Sequence, residues 1–360
     1  MKVIITSPSL NPEENVSGIS SVTQFIISNN KDVEYVHFEV GKRDAESGGT
    51  LNRLRRIWHN RLGWKRLLHL HPDAVIHYNM PLMGAAVIRD YLLLQVANKL
   101  GNPIVLHVHG GNYMKNRHRP WLIQRLIGTV LSWAKHIIVL SEEEKQIVEE
   151  DFNVDNVHSL PNCIDLTEAR DYKRKFEAEH PLSILYLGRI EKNKGIDYIL
   201  EAAKKLKADK VPFTLHLAGK EETQDEYIPQ FKSELGESFF YHGVVFGKVK
   251  SNLLKQCDVF LLPSFYEGLP MSLLETMSYG MVPVVTPVGS IPMVVINNFN
   301  GVFINIKNTR NIADAIKKLT TDRDFCTTLS HKAKETIIAK FDAQEYITKL
   351  NKLYCEYILK

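Results

Sequence analysis

The chain has 360 residues, of which 44% are hydrophobic and 24% are charged; these values are typical of a folded soluble protein and exclude a fibrous or disordered one. A chain of this length exceeds the size at which one hydrophobic core usually keeps growing, so two domains are expected. The formal net charge of +4 is too small to indicate a nucleic-acid-binding protein.

In the first half of the chain, short apolar runs rich in β-branched residues alternate with helical patterns, which predicts a parallel sheet. The predicted strands are 3–6, 33–38, 74–77, 104–108 and 137–140, and the predicted helices are 19–29, 83–99, 120–134 and 142–150. Ser141 and Glu144 form a capping box at the start of the last of these helices. We therefore predict a doubly wound, Rossmann-like α/β domain over residues 1–165.

The segment 166–180 is polar and highly charged, and we predict it to be a linker. Beyond it the predicted strands are 183–187, 213–218, 259–262 and 282–285, and the predicted helices are 195–207, 248–256, 270–279, 309–319 and 325–340. These elements predict a second Rossmann-like domain over residues 181–342, facing the first across a cleft. A final helix within 343–360 is long enough to pack back on the first domain.

The N-terminus lacks the apolar core of a signal peptide, and no apolar run approaches the roughly 18 residues of a membrane span. The four cysteines lie far apart without a C-x-x-C pair, which argues against disulfides and zinc and fits a reducing compartment. The one D-x-D sequence, Asp322 to Asp324, is predicted to cap a helix and not to bind a metal. We expect a cytoplasmic protein without a membrane span.

A basic segment runs from Lys42 to Arg66, with eight Lys or Arg residues against two acids and with Trp58 and Trp64 among its apolar residues. Anionic lipid attracts such a segment by about 1 kcal/mol per basic residue, so the segment could dock on the inner face of a membrane. The other interpretation is a solvated helix that packs its Leu and Trp side chains inward. The sequence leaves both open.

In open parallel sheets, ligands bind beyond the carboxyl ends of the strands, so loops that follow strands are candidate sites. The segment E-G-L-P-M-S-L-L-E, from Glu267 to Glu275, follows the strand at 259–262. Pro270 suits the first turn of a helix, which places Glu267 in the loop and Glu275 within the helix. Free N–H groups at such a helix start can bind hydroxyl or anionic groups; here they lie near Gly268, Leu269 and Met271.

A second loop, G-R-I-E-K-N-K-G from Gly188 to Gly195, lies between a predicted strand and a predicted helix. Arg189 and Lys194 can converge there on a pair of phosphates, the arginine as a two-pronged donor and the lysine as a point charge. Basic residues in a loop are often only solvated surface. The frame of strand, glycines and helix favours the phosphate site.

Two loops of the first half complete the set. In H-V-H-G-G, His107 and His109 share one face of a strand and could be paired zinc ligands, but a third ligand is not evident, so no metal is predicted. His109 is nearer the strand end and is expected to reach the cleft, whereas His107 suits the core. Gly18 opens a helix whose N-terminus could meet a phosphate. The G-x-G-x-x-G and P-loop fingerprints are absent, which disfavours nicotinamide and P-loop chemistry.

Taken together, these motifs resemble those of the retaining GT-B glycosyltransferases of family 4 (glycosyltransferase group 1), over nearly the whole chain and most strongly from Leu182 to Phe303. The E-x7-E motif of that family matches Glu267 and Glu275, and its G-R-x4-K-G motif matches Gly188 to Gly195. C-D-V-F-L-L-P-S resembles its A-D-V-F-V-x-P-S strand, and P-N-C-I-D resembles its P-N-G-V-D.

The resemblance implies a glycosyltransferase with an acceptor-side first domain and a donor-binding second domain. It would move a sugar from a nucleoside diphosphate sugar, UDP- more than GDP-, to a glycan or lipid-linked saccharide in polysaccharide or glycolipid synthesis. Configuration would be retained, with the leaving phosphate accepting the proton of the acceptor on the same face of the sugar. No metal and no cofactor would be needed, because Arg189, Lys194 and helix N-termini supply the positive charge.

Residue roles also follow from the resemblance. Arg189 and Lys194 would bind the donor diphosphate, and Glu275 would bind the ribose. Glu267 would hold the sugar together with the backbone of Gly268, Leu269 and Pro270.

In the first domain, His109 would contact the sugar near the reacting carbon, and Gly18 would bring backbone N–H groups to the distal phosphate. The catalytic contribution would come from His109, Glu267, Arg189 and Lys194.

The chain departs from the family pattern in places, which leaves the sugar open but not the reaction class. Where the family has two adjacent glycines near the first loop, this chain has the single Gly18. Where the family has V-G-G-I-P-E, this chain has V-G-S-I-P-M, with Ser290 and Met293. Three other functions remain: a nucleotide-sugar epimerase of GT-B-like fold, a non-catalytic nucleotide-sugar-binding protein and an oxidoreductase. The E-x7-E context disfavours the epimerase, and the intact site residues disfavour the non-catalytic protein. The missing glycine fingerprint disfavours the oxidoreductase.

Overall fold

The computed structural model describes the chain except for Pro12, Val16, 42–49, 111–119, Ala178, 222–225 and 357–360, and except for the side chains of 50–57 and Ala85. The chain divides into two compact units. Residues 1–162 and 343–360 form the first unit, and residues 163–342 form the second.

The first unit is built on a six-stranded parallel sheet with the strand order β2-β1-β3-β4-β5-β6. Its strands are β1 Lys2–Ser7, β2 Glu34–Glu39, β3 Val75–Met80, β4 Ile104–Val108, β5 His136–Val139 and β6 Val157–Ser159. Its helices are α1 Gly18–Asn29, α2 Thr50–Leu70, α3 Gly84–Leu100, α4 Trp121–Trp133 and α5 Glu142–Phe152. Strands β3 and β4 are buried along their whole length, as expected for a parallel sheet covered on both faces.

The second unit repeats this architecture, with the parallel strand order β12-β11-β10-β7-β8-β9. Its strands are β7 Leu182–Leu187, β8 Phe213–Ala218, β9 Phe239–Tyr241, β10 Val259–Leu262, β11 Val282–Val285 and β12 Val302–Phe303. Its helices are α6 Ile196–Ala208, α7 Tyr227–Leu235, α8 Gly247–Gln256, α9 Met271–Ser278, α10 Thr309–Thr321 and α11 Arg323–Lys340. Two doubly wound units confirm the predicted fold class.

The last helix, α12 Ala343–Cys355, belongs to the first unit. Its Tyr346 ring meets Phe25 of α1 edge to face, with 5.6 Å between the ring centroids. The side-chain amide of Asn30 donates a hydrogen bond of 2.7 Å to Asn351, and Tyr354 reaches His77 of β3 at 2.5 Å. Aromatic packing and polar contacts therefore hold α12 against α1 and β3 of the first unit.

The segment 166–180, predicted as a linker, instead belongs to the second unit. The side chain of Arg174 is 3% exposed, and its guanidinium donates to the backbone carbonyl groups of Leu254, Lys255 and Tyr279 at 2.5, 3.3 and 3.2 Å. A charged sequence resembles a solvated linker, but an arginine satisfies several buried carbonyls at once. The linker prediction is therefore wrong for this segment.

Helix α2 carries the part of the basic segment whose side chains are described. Trp64 is fully buried, and its indole N–H donates to the carbonyl of Leu93 at 3.0 Å. Trp58 is 61% exposed. The helix therefore has an inward face, which includes Trp64, and an outward face, which includes Trp58. None of the described helices combines the length and the hydropathy needed to cross a membrane.

Capping by side chains sets several helix starts, as the sequence predicts. The Ser141 hydroxyl accepts a hydrogen bond of 3.0 Å from the backbone N–H of Glu144 at the start of α5. Asp322, half of the D-x-D sequence, accepts one of 2.9 Å from the N–H of Phe325 at the start of α11. Each satisfies a first-turn N–H group that would otherwise lack a partner.

Candidate functional site

In the second unit, strands β7 and β10 are neighbours in the sheet although they are far apart in sequence. The strand order reverses between them, and in doubly wound folds the loops at such a switch point leave room for a ligand. The Gly188–Gly195 loop follows β7, and the loop that contains Glu267 follows β10. The topology therefore places the two motifs of the sequence beside each other.

Backbone contacts hold the Gly188–Gly195 loop against the loop after β10. The N–H of Phe265 donates to the carbonyl of Asn193 at 3.0 Å. Gly195 has a φ of +77°, and a Cβ atom there would lie 2.3 Å from the carbonyl oxygen of Pro263. Only glycine allows both this dihedral angle and this approach, which explains the glycine at the end of the motif.

Tyr186, near the end of β7, shapes the start of the same loop. Its buried hydroxyl donates to the carbonyl of Arg189. Burial, and after it the negative charge of Glu267, raise the pKa of this phenol well above 10, so it remains a hydrogen-bond donor. This hydrogen bond therefore holds the backbone of the loop at the half-buried Arg189.

The central feature of the site is an ion pair between the two motifs. The Lys194 Nζ atom lies 2.7 Å from Oε1 of Glu267, and the two side chains are 23% and 10% exposed. Partial burial weakens the screening of such a pair by water. The family resemblance assigns these residues to different parts of a ligand, and the structure brings them into direct contact.

The loop after β11 supports Glu267 from its backbone side. The Thr286 hydroxyl donates to the carbonyl of Ser264 at 2.6 Å, and the N–H of Ser290 donates to the carbonyl of Gly268 at 3.1 Å. Gly289 has a φ of +56°, and a Cβ atom there would lie 1.8 Å from the carbonyl oxygen of Glu267. Ser290, one of the departures from the family pattern, is buried at this contact.

Helix α9 begins directly after this loop. Pro270 is the residue before its first turn, one position earlier than predicted, and has no side-chain acceptor with which to cap the N–H groups that follow it. Leu269 is buried. Gly268, Leu269 and Pro270 therefore lie between Glu267 and the helix start, as the E-x7-E spacing predicts.

Glu275 lies further along α9 and borders a separate pocket of the second unit. Lys250 of α8 donates to its Oε1 atom at 2.7 Å. The pocket has a volume of about 400 Å³, and its lining includes Asp165, Gly247, Lys250, Glu275 and Tyr279. The sequence did not identify Lys250 as a site residue, because nothing in its spacing relates it to Glu275, 25 positions away. Two basic residues at the start of α8, Lys248 and Lys250, were the available signal.

The other two predicted residues belong to the first unit. Gly18 is the first residue of α1, where the Ser17 hydroxyl accepts a hydrogen bond of 3.1 Å from the N–H of Ser20. A Cβ atom on Gly18 would meet nothing within 4 Å among the described atoms. His109 follows β4 and is half-buried, with its Nε2 atom 2.5 Å from Oδ1 of Asn79.

The two histidines of H-V-H-G-G differ as the strand geometry predicts. His107 is fully buried, and its Nδ1 atom lies 3.1 Å from Nε2 of His77. Burial lowers the pKa of His107 well below 6.5 and that of His109 to about 3, so both are neutral at physiological pH. Within the described part of the chain, no three His, Cys, Asp or Glu residues form a metal-binding group. Gly111 lies outside the described residues.

Family comparisons match both halves of the chain. Residues 25–168 match the family described as "Glycosyltransferase Family 4", and residues 168–336 match "Glycosyl transferases group 1". An Escherichia coli protein named UDP-Gal:alpha-D-GlcNAc-diphosphoundecaprenol alpha-1,3-galactosyltransferase is 24% identical over 290 residues, 74% of this chain and 73% of that one. An alpha-D-kanosaminyltransferase of Streptomyces kanamyceticus is 22% identical over 81% of this chain and 80% of its own length.

Solved structures show the same fold at low identity. Sucrose-phosphate synthase from Thermosynechococcus elongatus superimposes with a TM-score of 0.78 at 17% identity, covering 99% of both chains. Anabaena Alr3699/HepE, solved in complex with UDP-glucose, superimposes with a TM-score of 0.76 at 15% identity, covering 98% of this chain and 99% of that one. With both units matched, the chain is a glycosyltransferase of GT-B fold and belongs to the glycosyltransferases of group 1 and family 4.

Proposed function

We propose that the protein transfers a sugar from a nucleoside diphosphate sugar, UDP- more than GDP-, to a glycan or lipid-linked saccharide, with retention of configuration. The contact between Lys194 and Glu267 at 2.7 Å is the observation that carries the proposal. A cation and a sugar-binding carboxylate side by side suit a ligand whose diphosphate adjoins its sugar. The names of the Escherichia coli relative and of the UDP-glucose complex agree with such a donor.

The donor roles in the second unit follow the order of the loops. Arg189 and Lys194 bind the diphosphate, Glu267 and the backbone of 268–270 hold the sugar, and Glu275 binds the ribose. The pocket beside Glu275 offers the nucleoside a place outside the cationic loop. Lys250, which holds the Glu275 carboxylate, positions that group for the ribose hydroxyls.

In the first unit, His109 contacts the sugar near the reacting carbon, and the start of α1 at Gly18 meets the distal phosphate. Backbone N–H groups and the positive end of the helix favour an anion there.

The route of transfer on one face of the sugar suits the state of the carboxylates. A double displacement needs a carboxylate that attacks the sugar. The Glu267 and Glu275 carboxylates each accept a hydrogen bond of 2.7 Å from a lysine, which withdraws electron density from a would-be nucleophile. Catalysis then relies on holding the reactants together and on stabilising the charge of the leaving diphosphate, and no metal is needed.

Incubation with a panel of radiolabelled UDP-, GDP- and ADP-sugars and with saccharide-diphosphate lipid acceptors tests this function. We expect release of nucleoside diphosphate and a labelled product in which the anomeric configuration is retained. Turnover in EDTA is expected to change by less than about twofold, because lysine and arginine replace the Lewis acid. Conversion of the donor sugar alone would indicate an epimerase, and binding without turnover would indicate a non-catalytic protein.

The proposed location is the cytoplasm, at the surface of an anionic membrane that carries the acceptor. Helices α2 and α3 form a groove of about 360 Å³ whose lining includes Trp58, Arg61, Leu62, Lys65 and Lys99. Three cations beside exposed Trp and Leu side chains suit the interface between lipid headgroups and acyl chains.

Vesicle binding tests this surface. Changing Arg61, Lys65 and Lys99 together to glutamine is expected to lower partitioning onto phosphatidylglycerol vesicles by about 100-fold at low salt, from about 1 kcal/mol per cation. The matched control changes the exposed lysines 175, 232 and 340 of the second unit, with the same loss of charge and no expected effect. Equal losses in both variants, or no binding by the parent protein, would contradict the proposal.

A further inference from the structure

The side-chain amide of Asn79, near the end of β3, has a single satisfactory orientation. Its Nδ2 atom lies 2.7 Å from the carbonyl oxygen of Thr6 and 3.1 Å from the hydroxyl of Thr23. The Thr23 hydroxyl donates its own hydrogen to the carbonyl of Ile19 at 2.9 Å, so it accepts a hydrogen bond from Asn79. Reversing the amide would set an oxygen against the Thr6 carbonyl, and two acceptors repel. Oδ1 of Asn79 therefore points to His109.

This orientation determines where His109 carries its hydrogen. An amide oxygen only accepts hydrogen bonds, so the Nε2 atom of His109, 2.5 Å away, must be the protonated nitrogen. The ring stays neutral because burial lowers its pKa to about 3. The Nδ1 atom then holds a lone pair, and among the described residues it takes part in no hydrogen bond.

The neighbouring histidines do not compete for this hydrogen. His77 and His107 contact each other through their ring nitrogens, and His77 also contacts the Tyr354 hydroxyl. The rings of His107 and His109 stack, with 4.1 Å between their centroids. In the described part of the chain, Asn79 is thus the one side chain that selects the tautomer of His109.

We propose that Asn79 is a positioning residue that fixes His109 as the Nε2–H tautomer, so that His109 offers the donor sugar a hydrogen-bond acceptor at Nδ1. The inference rests on the proposed function, in which His109 contacts the sugar near the reacting carbon. A neutral acceptor adds no positive charge beside a carbon that itself becomes positive in the transition state.

The same property bears on which donor sugar is accepted. A lone pair requires a group that brings its own hydrogen, such as a sugar hydroxyl. A sugar that carries a carboxylate or a methyl group in that place cannot donate, and the unpaired acceptor is then costly. We therefore expect His109 to select hydroxyl-bearing sugars over the matching uronic acids and deoxy sugars.

The tautomer is measurable without any sugar, by long-range ¹H–¹⁵N NMR of histidine-labelled protein at neutral pH. The His109 signals are identified by their loss in His109→Gln. We expect a protonated-type shift for Nε2 and an unprotonated-type shift for Nδ1, and a loss of this preference in Asn79→Leu. A protonated Nδ1 in the parent protein would overturn the inference even if transfer activity is found, and the expected shifts would stand even if it is not.

Kinetics test whether the tautomer matters for transfer. Asn79→Leu is expected to lower kcat about tenfold or more with little change in the Kd of the bare nucleoside diphosphate. The matched control is Asn102→Leu, since Asn102 is also a buried asparagine of the first unit, donating to the carbonyls of Pro72 and Ala74. We expect this control to keep kcat at comparable loss of stability. Equal kcat values in the two variants would overturn the positioning role. If Asn79→Leu does not fold, Thr23→Val takes its place, because it removes one of the two acceptors that orient the Asn79 amide. A smaller loss of kcat is expected for this variant.

Discussion

Replacing Glu267 with alanine is expected to lower kcat by about 100-fold or more, the usual effect of removing a group that acts on the transition state, with little loss of affinity for the bare nucleoside diphosphate. Glu267 is buried and held at 2.7 Å by Lys194, so its carboxylate has a defined position from which to orient the sugar. Its removal leaves Lys194 without this anionic partner. A cation released in this way binds phosphate at least as well, so the nucleotide affinity should stay equal or rise slightly. Steady-state kinetics and calorimetry measure the two effects separately.

Glu275→Ala is the matched control, since this second carboxylate is also held by a lysine at 2.7 Å. It should show the opposite pattern, with weaker binding of the bare nucleotide, because its assigned partner is the ribose. If Glu267→Ala weakens nucleotide binding and Glu275→Ala does not, the two roles have been exchanged. Loss of nucleotide affinity in neither variant, with full turnover in both, would remove the E-x7-E motif from the site.

The ion pair also predicts that Lys194 and Glu267 are not independent. Lys194→Ala alone should cost about 1.5–3 kcal/mol, as a charged hydrogen bond does, which is about 10- to 150-fold in kcat/KM. It also frees the Glu267 carboxylate, which would then repel the diphosphate. The double variant should therefore lose less than the sum of the two single losses. Strict additivity would show that the contact at 2.7 Å has no part in transfer.

The architecture was largely predictable because parallel strands buried on both faces leave a strong signal in the sequence. Runs such as 104–106 in β4 are continuously apolar, and helical patterns separate them. The short strands β6, β9 and β12 were missed, since segments of two or three residues carry no periodicity. Their positions depend on neighbours in the sheet that the local sequence does not specify.

The candidate site was predictable in its residue types but not in its contacts. Strand-end position pointed to Glu267 and Lys194 separately, while their ion pair depends on the neighbouring places of β7 and β10 in the sheet. Asn79 left no signal, because the role of one asparagine in a buried strand becomes evident only when the partners of its amide are known. The error at 166–180 has the same origin, since composition cannot distinguish a solvated arginine from one that bonds three carbonyls.

Gly289→Ala is expected to disrupt the site from outside it. At its φ of +56° an alanine is strained by roughly 1–3 kcal/mol, and its Cβ atom would lie 1.8 Å from the Glu267 carbonyl oxygen. Because that contact is with backbone, the loop after β10 has to move. Glu267 moves with it, and so does the hydrogen bond that the N–H of Ser290 donates to the carbonyl of Gly268. We expect a loss of kcat of about 100-fold, as for misplacement of a catalytic group, together with a lower Tm.

Gly101→Ala separates the clash from the strain of the backbone angle. Gly101 has a φ of +80° at the end of α3, and a Cβ atom there would meet nothing within 4 Å among the described atoms. It should therefore lower the Tm by the strain alone and leave kcat unchanged, whereas Gly289→Ala should lower both. If Gly289→Ala keeps full turnover, Glu267 tolerates displacement of its own backbone. A position that tolerates such displacement would not be one that orients the sugar, so this result would also count against the role assigned to Glu267.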